Sequence, residues 1–260
     1  MNDSERTLYD EIRDFLKAEQ QVYGAFSVPD PEKAVFDESV EEVSVSAEEA
    51  KKEYTVDEKE PEYLLPLEDK LKKCTTLEQL KVLCESADEL RTDLEGTNLV
   101  FGVGNPQADL MLIGEAPGEQ EDIKGEPFVG AAGRLLNKIL EAIKFNREDV
   151  YIANILKHRP PGNRNPNVEE CEASLPYLHR QIEIIQPKLI LCLGKISGNT
   201  ILGTDVSLKK MRSEKHQFRG IELFVTYHPA ALLRNPQWKR PTWEDVQAVR
   251  KRYDELGGRS

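Results

Sequence analysis

Three segments of the chain combine residue types that are suited to chemistry, and each follows a short apolar run. The first extends from Gly114 to Leu136 and places the carboxylates Glu115 and Glu121 among several glycines, which let a backbone approach a ligand closely. Where this segment turns into a helical pattern, the backbone N–H groups of residues 130–133 are suited to hold a phosphate. The pattern indicates a ligand-binding connection, with solvated acids in an ordinary tight connection as the alternative.

The second segment, Asn154 to Pro166, joins a polar side chain to a basic loop. The amide of Asn154 offers one acceptor and two donors, so it can read the polar edge of a pyrimidine. Positive charges that can contact phosphates follow in the loop at Lys157, Arg159 and Arg164. A basic surface loop without a ligand is the alternative interpretation.

The third segment, Tyr227 to Pro236, contains one histidine and an apolar tip. His228 directly follows an apolar run, in a position to donate a hydrogen bond to a developing negative charge. Leu232 and Leu233 can wedge into a stack of bases while Arg234 grips the nucleic-acid backbone. A lone histidine is more often structural, but its place beside the other two segments favours a role in chemistry.

Alternating apolar runs and helical patterns predict the elements that bring these segments together. Continuous apolar runs such as Lys188–Gly194 are typical of strands in a parallel sheet that is covered on both faces. Ligands of such sheets bind beyond the carboxyl ends of the strands, so the three segments are expected to meet there. The predicted strands are Leu99–Gly102, Ala108–Gly114, Val150–Asn154, Lys188–Gly194 and Ile221–Tyr227, and the predicted helices are Gly133–Phe145, Val168–Ile185 with a break or kink at Pro176, and Thr242–Leu256.

Charge and composition restrict the class of protein. Residues 1–97 carry a net charge of −15 and residues 98–260 carry +3, which together give the −12 of the whole chain, so the body is mildly basic. No apolar run approaches the ~18 residues that a membrane span needs, and the N-terminus lacks the apolar region of a secretory signal. Four cysteines are too few for a disulfide scaffold, and the sequence predicts a cytoplasmic protein.

The chain divides into an acidic N-terminal extension, residues 1–65, and a folded domain, residues 66–260. In the extension we expect an amphipathic helix over Ser4–Val22 and an acidic tether over residues 25–65. A second helical pattern covers Leu64–Leu94. Three roles stay open for the extension: its helix docks on the folded domain, it recruits a protein partner, or it serves as a solubilising tail.

Together the three segments resemble family 4 of the uracil-DNA glycosylase superfamily, over about Asn98 to Arg252. The motifs that carry the resemblance are Gly-Glu-Ala-Pro-Gly at residues 114–118, Lys-His-Arg-Pro-Pro at 157–161 and His-Pro-Ala-Ala-Leu-Leu-Arg at 228–234. The resemblance implies an α/β fold with three α/β/α layers around a central parallel four-stranded sheet. It also implies an enzyme that flips deoxyuridine out of DNA and hydrolyses its N-glycosidic bond, which releases uracil and leaves an abasic site.

The same resemblance implies a pocket for the flipped base. In it Phe128 stacks on uracil, Asn154 reads the polar edge of uracil and rejects cytosine, and the backbone of residues 115–118 shapes the wall. The implied uracil-binding residues are Glu115, Ala116, Pro117, Gly118, Phe128, Asn154 and His228.

Catalytic and DNA-binding residues are implied as well. Glu115 and Glu121 would position water or support the cationic sugar, and Asn163 would help to hold this acidic loop. His228 would stabilise the negative charge that accumulates on uracil O2 as the base leaves. The implied DNA-binding residues are Gly133, Lys157, Arg159, Arg164, Leu232, Leu233 and Arg234.

One departure from the family concerns its four-iron, four-sulfur cluster, which is held by four cysteines. The Cys-x-x-Cys of the family is missing, because Cys84 is followed by Glu-Ser-Ala87. The third and fourth cysteine positions are occupied by His158 and Ser174. We therefore predict a member without cluster, cofactor or metal; a ligand set made of Cys74, Cys84, Cys171 and His158 is the alternative.

The expected partner is DNA that contains uracil, and no membrane partner is expected. The protein is expected to act as a monomer in the cytoplasm and to be associated with the nucleoid when it is bound to DNA. Two other functions stay open: a non-catalytic module that binds uracil or DNA, and a glycosylase for another base such as hypoxanthine, xanthine or mismatched thymine. Asn154 favours uracil. The basic stretches Lys209–Arg212 and Trp238–Arg240 either contact phosphates or belong to an ordinary surface.

Overall fold

The computed structural model describes residues 65–258, and its centre is a six-stranded sheet. The strands are β1 (Val103–Gly104), β2 (Leu110–Gly114), β3 (Tyr151–Asn154), β4 (Leu189–Leu193), β5 (His216–Phe218) and β6 (Ile221–Thr226). Four of them run parallel in the order β3, β2, β4, β6. At the edges, β1 pairs antiparallel with β3 and β5 pairs antiparallel with β6. The predicted parallel four-stranded sheet is confirmed, with two short edge strands added.

Helices cover both faces of this sheet. They are α1 (Leu67–Lys73), α2 (Leu77–Glu85), α3 (Glu119–Lys124), α4 (Ala131–Ala142), α5 (Val168–Ile185), α6 (Lys195–Leu202), α7 (Leu208–Ser213), α8 (Pro229–Arg234) and α9 (Lys239–Glu255). Single 3₁₀ turns lie at Asp88–Leu90, Arg147–Asp149, Pro161–Asn163 and Pro236–Trp238.

The core has two halves, one on each face of the sheet, because side chains alternate along each strand. Leu110 and Leu112 of β2 pack with apolar residues of α4 and α9. Met111 and Ile113, on the other face, pack with residues of α1, α2, α5, α6 and α7. All residues of β2, β3 and β4 are buried, as expected for a parallel sheet covered on both sides. This arrangement is the three-layer α/β/α fold.

The predicted strand at Leu99–Gly102 is wrong. Pairing with β3 on this side of the sheet begins only at Val103, in β1, one residue beyond the predicted strand. The N–H of Val100 instead donates to the carbonyl of Lys157 at 2.8 Å. This stretch is therefore tied to the loop after β3 and does not extend the sheet.

The helical pattern over Leu64–Leu94 corresponds to two helices, α1 and α2. They are separate because Thr76 begins a new helix: its hydroxyl accepts from the N–H of Gln79, and the Gln79 side chain accepts from the N–H of Thr76. In the opposite sense, α5 continues through Pro176, where the sequence allowed a break. The short helices α3, α6, α7 and α8 were not predicted.

Most of the expected N-terminal extension, including the helix at Ser4–Val22, lies outside the described residues. The boundary between residues 65 and 66 therefore stays a prediction. Over residues 65–258, the longest helices are too short or too polar to cross a membrane.

Candidate active site

Phe128, Asn154 and His228 lie together beyond the carboxyl ends of the parallel strands. Asn154 ends β3 and is in register with Gly114, which ends β2. A Cβ atom at Gly114 would overlap Asn154 Oδ1 and would lie 2.7 Å from the Phe128 ring, so these side chains close over the glycine. The ring centroids of Phe128 and His228 are 5.4 Å apart. The structure thus brings the three predicted pocket side chains into one place.

The loop that carries Phe128 is fixed from two sides. Phe128 has a positive φ of 53° and is 5% exposed, and a Cβ atom at Gly133 would overlap its carbonyl oxygen. Glu121 Oε1 accepts from the N–H groups of Val129, at 2.9 Å, and Gly130, at 2.8 Å. This geometry gives Glu121 a part in holding the loop, and its expected part in water positioning stays a prediction. It makes Gly133 a buried packing position instead of a surface contact to DNA.

Asn154 presents an unused acceptor. The residue is 2% exposed, and its Oδ1 atom is buried without a hydrogen-bond partner. A buried acceptor left unpaired costs about 1–3 kcal/mol, so such atoms usually have a partner in the functional state. Because Oδ1 lies beside the Phe128 ring, the missing partner is expected to be an N–H group of a flat ligand stacked there.

His228 is arranged as a neutral donor. Its Nδ1 accepts from the backbone N–H of Ala230 at 3.2 Å, which caps α8. In the neutral ring the proton must therefore sit on Nε2. Burial lowers the pKa of His228 to about 4, with a further contribution from Arg234 and an opposing one from Glu121. The side chain can thus donate from Nε2 at neutral pH without carrying a charge.

Glu115 follows β2 directly and supplies a free carboxylate. Its backbone carbonyl accepts from the N–H of Leu156 at 3.1 Å, which ties it to the loop after β3. The half-buried carboxylate has no hydrogen-bond or ion-pair partner among residues 65–258, and burial raises its pKa. Of the residues that follow, Ala116 is half-buried, Pro117 is buried and Gly118 caps α3. Glu115 can therefore bind water or face a positive charge.

The proline-rich loop after β3 is held by its own ion pairs. Asn163 is exposed, and its Oδ1 accepts from Arg159 Nε at 2.7 Å; Arg159 in turn lies 3.8 Å from Glu119 of α3. Asn163 thus reaches the acidic loop only through Arg159. Arg164 pairs with Glu170, with two hydrogen bonds of 2.8 Å, and also with Asp93. Both arginines support the loop, and their expected phosphate contacts stay a prediction.

The expected phosphate contact of Lys157 does not agree with the structure. The side chain is 0% exposed and its ammonium group points into the protein, where it donates to three oxygens. A buried ammonium group cannot reach DNA, so Lys157 is removed from the DNA-binding set.

Only one of the two leucines at the apolar tip of the third segment is exposed. In α8, Leu232 is 2% exposed and packs inside, whereas Leu233 is 49% exposed and Arg234 is also exposed. The expected wedge is therefore reduced to Leu233, with Arg234 beside it. His228 caps the same helix, so one short element carries both the wedge and the donor.

A partly buried charge cluster at the end of β6 was missed by sequence reasoning. Asp245 accepts from the hydroxyl of Thr226 at 2.6 Å and from Arg212 at 2.6 and 2.9 Å, and burial raises its pKa. Arg212 also lies over the ring of Tyr227, 4.8 Å from its centroid. Arg212 belongs to the basic stretch Lys209–Arg212, for which the sequence left open a contact to phosphates. The cluster anchors the end of β6, and its members are too far apart in the sequence to form a motif.

The residues at the family's cysteine positions do not fit an iron–sulfur cluster. The Ala87 side chain has no atom that can bind a metal. His158 Nδ1 lies 3.0 Å from the hydroxyl of Thr97, and the Ser174 hydroxyl is buried without a hydrogen-bond partner. A cluster needs thiolate ligands, and of these four residues only Cys84 carries a thiol. Burial raises the pKa of Cys84 to about 12, which disfavours its thiolate. Within residues 65–258 no three histidine, cysteine or acidic side chains are grouped to hold a metal ion, so the alternative ligand set is not assembled either.

Comparison with known proteins agrees with this site. The family model described as the uracil DNA glycosylase superfamily matches residues 101–247. The chain is 43% identical over 184 residues to a type-4 uracil-DNA glycosylase of Archaeoglobus fulgidus, covering 68% of this chain and 89% of the relative. It is 42% identical over 185 residues to that of Sulfurisphaera tokodaii (68% and 84% covered), and 44% identical over 163 residues to that of Saccharolobus solfataricus (59% and 76% covered).

The matched range contains the ends of β2, β3 and β6 together with all of the pocket side chains described above. The resemblance found in the motifs is thereby confirmed over more than half of the chain. The chain belongs to the uracil-DNA glycosylase superfamily, in its type-4 family.

Proposed function

We propose that the protein excises uracil from DNA, by turning deoxyuridine out of the helix and hydrolysing its N-glycosidic bond. The observation that carries the proposal is the buried, unpaired Oδ1 of Asn154 next to the Phe128 ring, an acceptor that a base turned out of the helix can use. The names of the relatives support the same reaction.

Base recognition follows from the donor and acceptor pattern. Uracil presents an N–H donor at position 3 and a carbonyl acceptor at position 4, which match the Oδ1 and Nδ2 atoms of Asn154. Cytosine presents an acceptor and a donor at these positions, so the same amide orientation leaves both groups unpaired. Leaving buried polar groups unpaired is an effective way to reject a close analogue.

Bond cleavage needs opposite charges to be stabilised on the two sides of the bond. The departing uracil is an anion, and the neutral His228 donates to its oxygen from Nε2. The sugar becomes cationic, and the free carboxylate of Glu115 supports it and orients the attacking water. The oxygen of water bonds to C1′ of the sugar as the N-glycosidic bond breaks, and the proton that this water loses ends on the departing uracil anion. The products are free uracil and an abasic site.

We propose further that the reaction needs no cofactor. The lack of thiols at three of the four cysteine positions supports this, as does the apolar packing of Cys84, Ala87 and Tyr177 in one half of the core. The acting species is proposed to be a cytoplasmic monomer on DNA.

Excision from a labelled oligonucleotide with one deoxyuridine tests the proposed function. Glu115→Gln and His228→Ser are expected to slow excision by about 10²–10³-fold, since each removes one charge-stabilising group. Glu126→Gln, which changes an exposed acid of the same loop, is the matched control and is expected to retain full activity. Binding of uracil-containing DNA without excision by the unmodified protein would instead favour a binding module.

A further inference from the structure

Lys157 is a fully buried amine without an acidic partner. Its Nζ atom donates to the carbonyl of Asn154 at 3.0 Å, to Gln181 Oε1 at 2.6 Å and to the carbonyl of Phe101 at 3.4 Å. No carboxylate within residues 65–258 forms an ion pair with it. All of its acceptors are neutral oxygens.

A buried ammonium group without a carboxylate partner lowers the stability of a folded protein. An ammonium group in an apolar interior costs several kcal/mol unless it is paired and hydrogen-bonded, and burial accordingly lowers the pKa of Lys157 to about 8. A methionine of similar length would fill the same space without this cost. The position of the amine should therefore serve a purpose other than stability.

The hydrogen bonds of Lys157 converge on the end of β3. Gln181 of α5, which accepts from Lys157, also donates to the carbonyl of Phe101 at 3.0 Å, so the amine and the amide form one network. That network joins α5, the segment before β1 and the last peptide of β3. The residue at this last peptide is Asn154, whose side-chain oxygen has no hydrogen-bond partner.

We propose that Lys157 is a positioning residue for base recognition, which fixes the Asn154 carbonyl and thereby the direction of its side-chain amide. This inference rests on the proposed function, in which that amide reads the base. The carbonyl and the side chain share one Cα atom, so a hydrogen bond to the carbonyl limits rotation of the backbone that aims the amide. Misplacing a recognition group by about 1 Å is enough to lose much of its effect.

The test is a double-mutant cycle with Lys157→Met and Asn154→Ala, measured as KM and kcat for uracil excision. Lys157→Met is expected to raise KM about tenfold, the usual effect of one impaired hydrogen bond, with a smaller change in kcat. In the Asn154→Ala background the same substitution should have no further effect on KM. Melting temperature should stay equal or rise.

Two further variants keep the result interpretable. Lys157→Gln retains a donor for the Asn154 carbonyl and is expected to lie between the unmodified protein and Lys157→Met. Lys188→Met is the matched control: this lysine pairs with Asp109 at the opposite end of the sheet, and its loss should leave KM unchanged. If Lys157→Met does not fold, the cycle is run with Lys157→Gln.

An unchanged KM in the Lys157 variant, or a loss that persists undiminished without Asn154, would overturn the positioning role while the proposed function stands. If the unmodified protein releases no uracil, the proposed function and this inference both fail.

Discussion

At the scale of the residue, the absence of a side chain at position 114 lets Asn154 and Phe128 meet. An added methyl group would overlap Asn154 Oδ1 and press on the Phe128 ring at 2.7 Å, so both walls of the pocket would have to move. Phe128 lies on a loop that Glu121 holds, and Asn154 lies at the end of β3, which pairs with β2. A small change at this one atom should therefore affect base binding more than any surface change nearby.

Gly114→Ala is expected to reduce kcat/KM by about 10²-fold and to destabilise the fold by about 1–3 kcal/mol, as overpacking does. Gly203→Ala is the control, because that glycine has open space around it but a positive φ of 62°. There we expect a loss of about 1 kcal/mol of stability without loss of activity. Steady-state kinetics and thermal unfolding of both variants provide the comparison, and equal activities would contradict the proposed contact.

The pH dependence of stability reports on His228. Its folded pKa of about 4 lies below the ordinary value of about 6.5, so between these values the unfolded chain binds a proton that the folded chain does not. Stability should therefore fall as pH falls from about 6.5 to 4, by roughly 1–3 kcal/mol from this residue.

His228→Ser keeps an acceptor for the Ala230 N–H but removes the titrating ring, so its stability should depend less on pH over this window. Urea unfolding of both proteins between pH 4 and 7 measures the difference. His179, whose pKa burial also lowers to about 4, is present in both proteins and cancels. Identical pH profiles would show that His228 is not buried in its neutral form.

At the scale of the element, the start of α4 and the loop before it depend on one side chain. Glu121 accepts from two backbone N–H groups that follow Phe128, and it lies on the short helix α3. Both donors lie on residues that precede Ala131, the first residue of α4, and the carboxylate gives these backbone N–H groups a partner. In this way α3 sets the position of the stacking ring.

Substitutions at Glu121 separate this role from catalysis. Glu121→Gln keeps an oxygen acceptor and should retain most activity, whereas Glu121→Ala should lose about 1–2 kcal/mol of stability and raise KM about tenfold. Kinetics and melting curves of both variants are compared. If Glu121→Gln is as inactive as Glu121→Ala while both variants remain folded, Glu121 acts as a catalytic carboxylate. Its hydrogen bonds to the loop would then not account for its effect on activity.

Elements with a continuous apolar pattern could be predicted from the sequence, and those set by side-chain contacts could not. The strands β2, β3, β4 and β6 are predicted to within one or two residues because all of them carry apolar runs. The two-residue β1 carries no such signal. Pocket residues were found through their motifs, but Lys157 looked like a surface charge, since a loop pattern does not reveal which way a side chain points.

At the scale of the whole molecule, the region that holds a cluster in the family is part of the core here. Cys84, Ala87, Tyr177 and Leu178 belong to the half of the core that α1, α2 and α5 cover. Tyr177 adds a hydrogen bond to Glu89. Apolar packing and this hydrogen bond thus join the first helices to the sheet.

The purified protein is therefore expected to contain no stoichiometric iron or acid-labile sulfide and to lack absorbance near the visible bands of such clusters. Treatment with a chelator should change neither the melting temperature nor the rate of excision. About four iron atoms per chain in protein prepared without oxygen would contradict this account. Preparation both with and without oxygen excludes loss of a labile cluster.

The most direct test of the central claim identifies the base that the full chain releases. Duplexes that carry uracil, cytosine, hypoxanthine, xanthine or a mismatched thymine at one position are incubated with the protein, and free bases are measured by mass spectrometry. We expect free uracil from the uracil duplex and none from the cytosine duplex, because the Asn154 amide matches only the first. Release of another base in preference to uracil, or of no base at all, would contradict the assignment of this pocket.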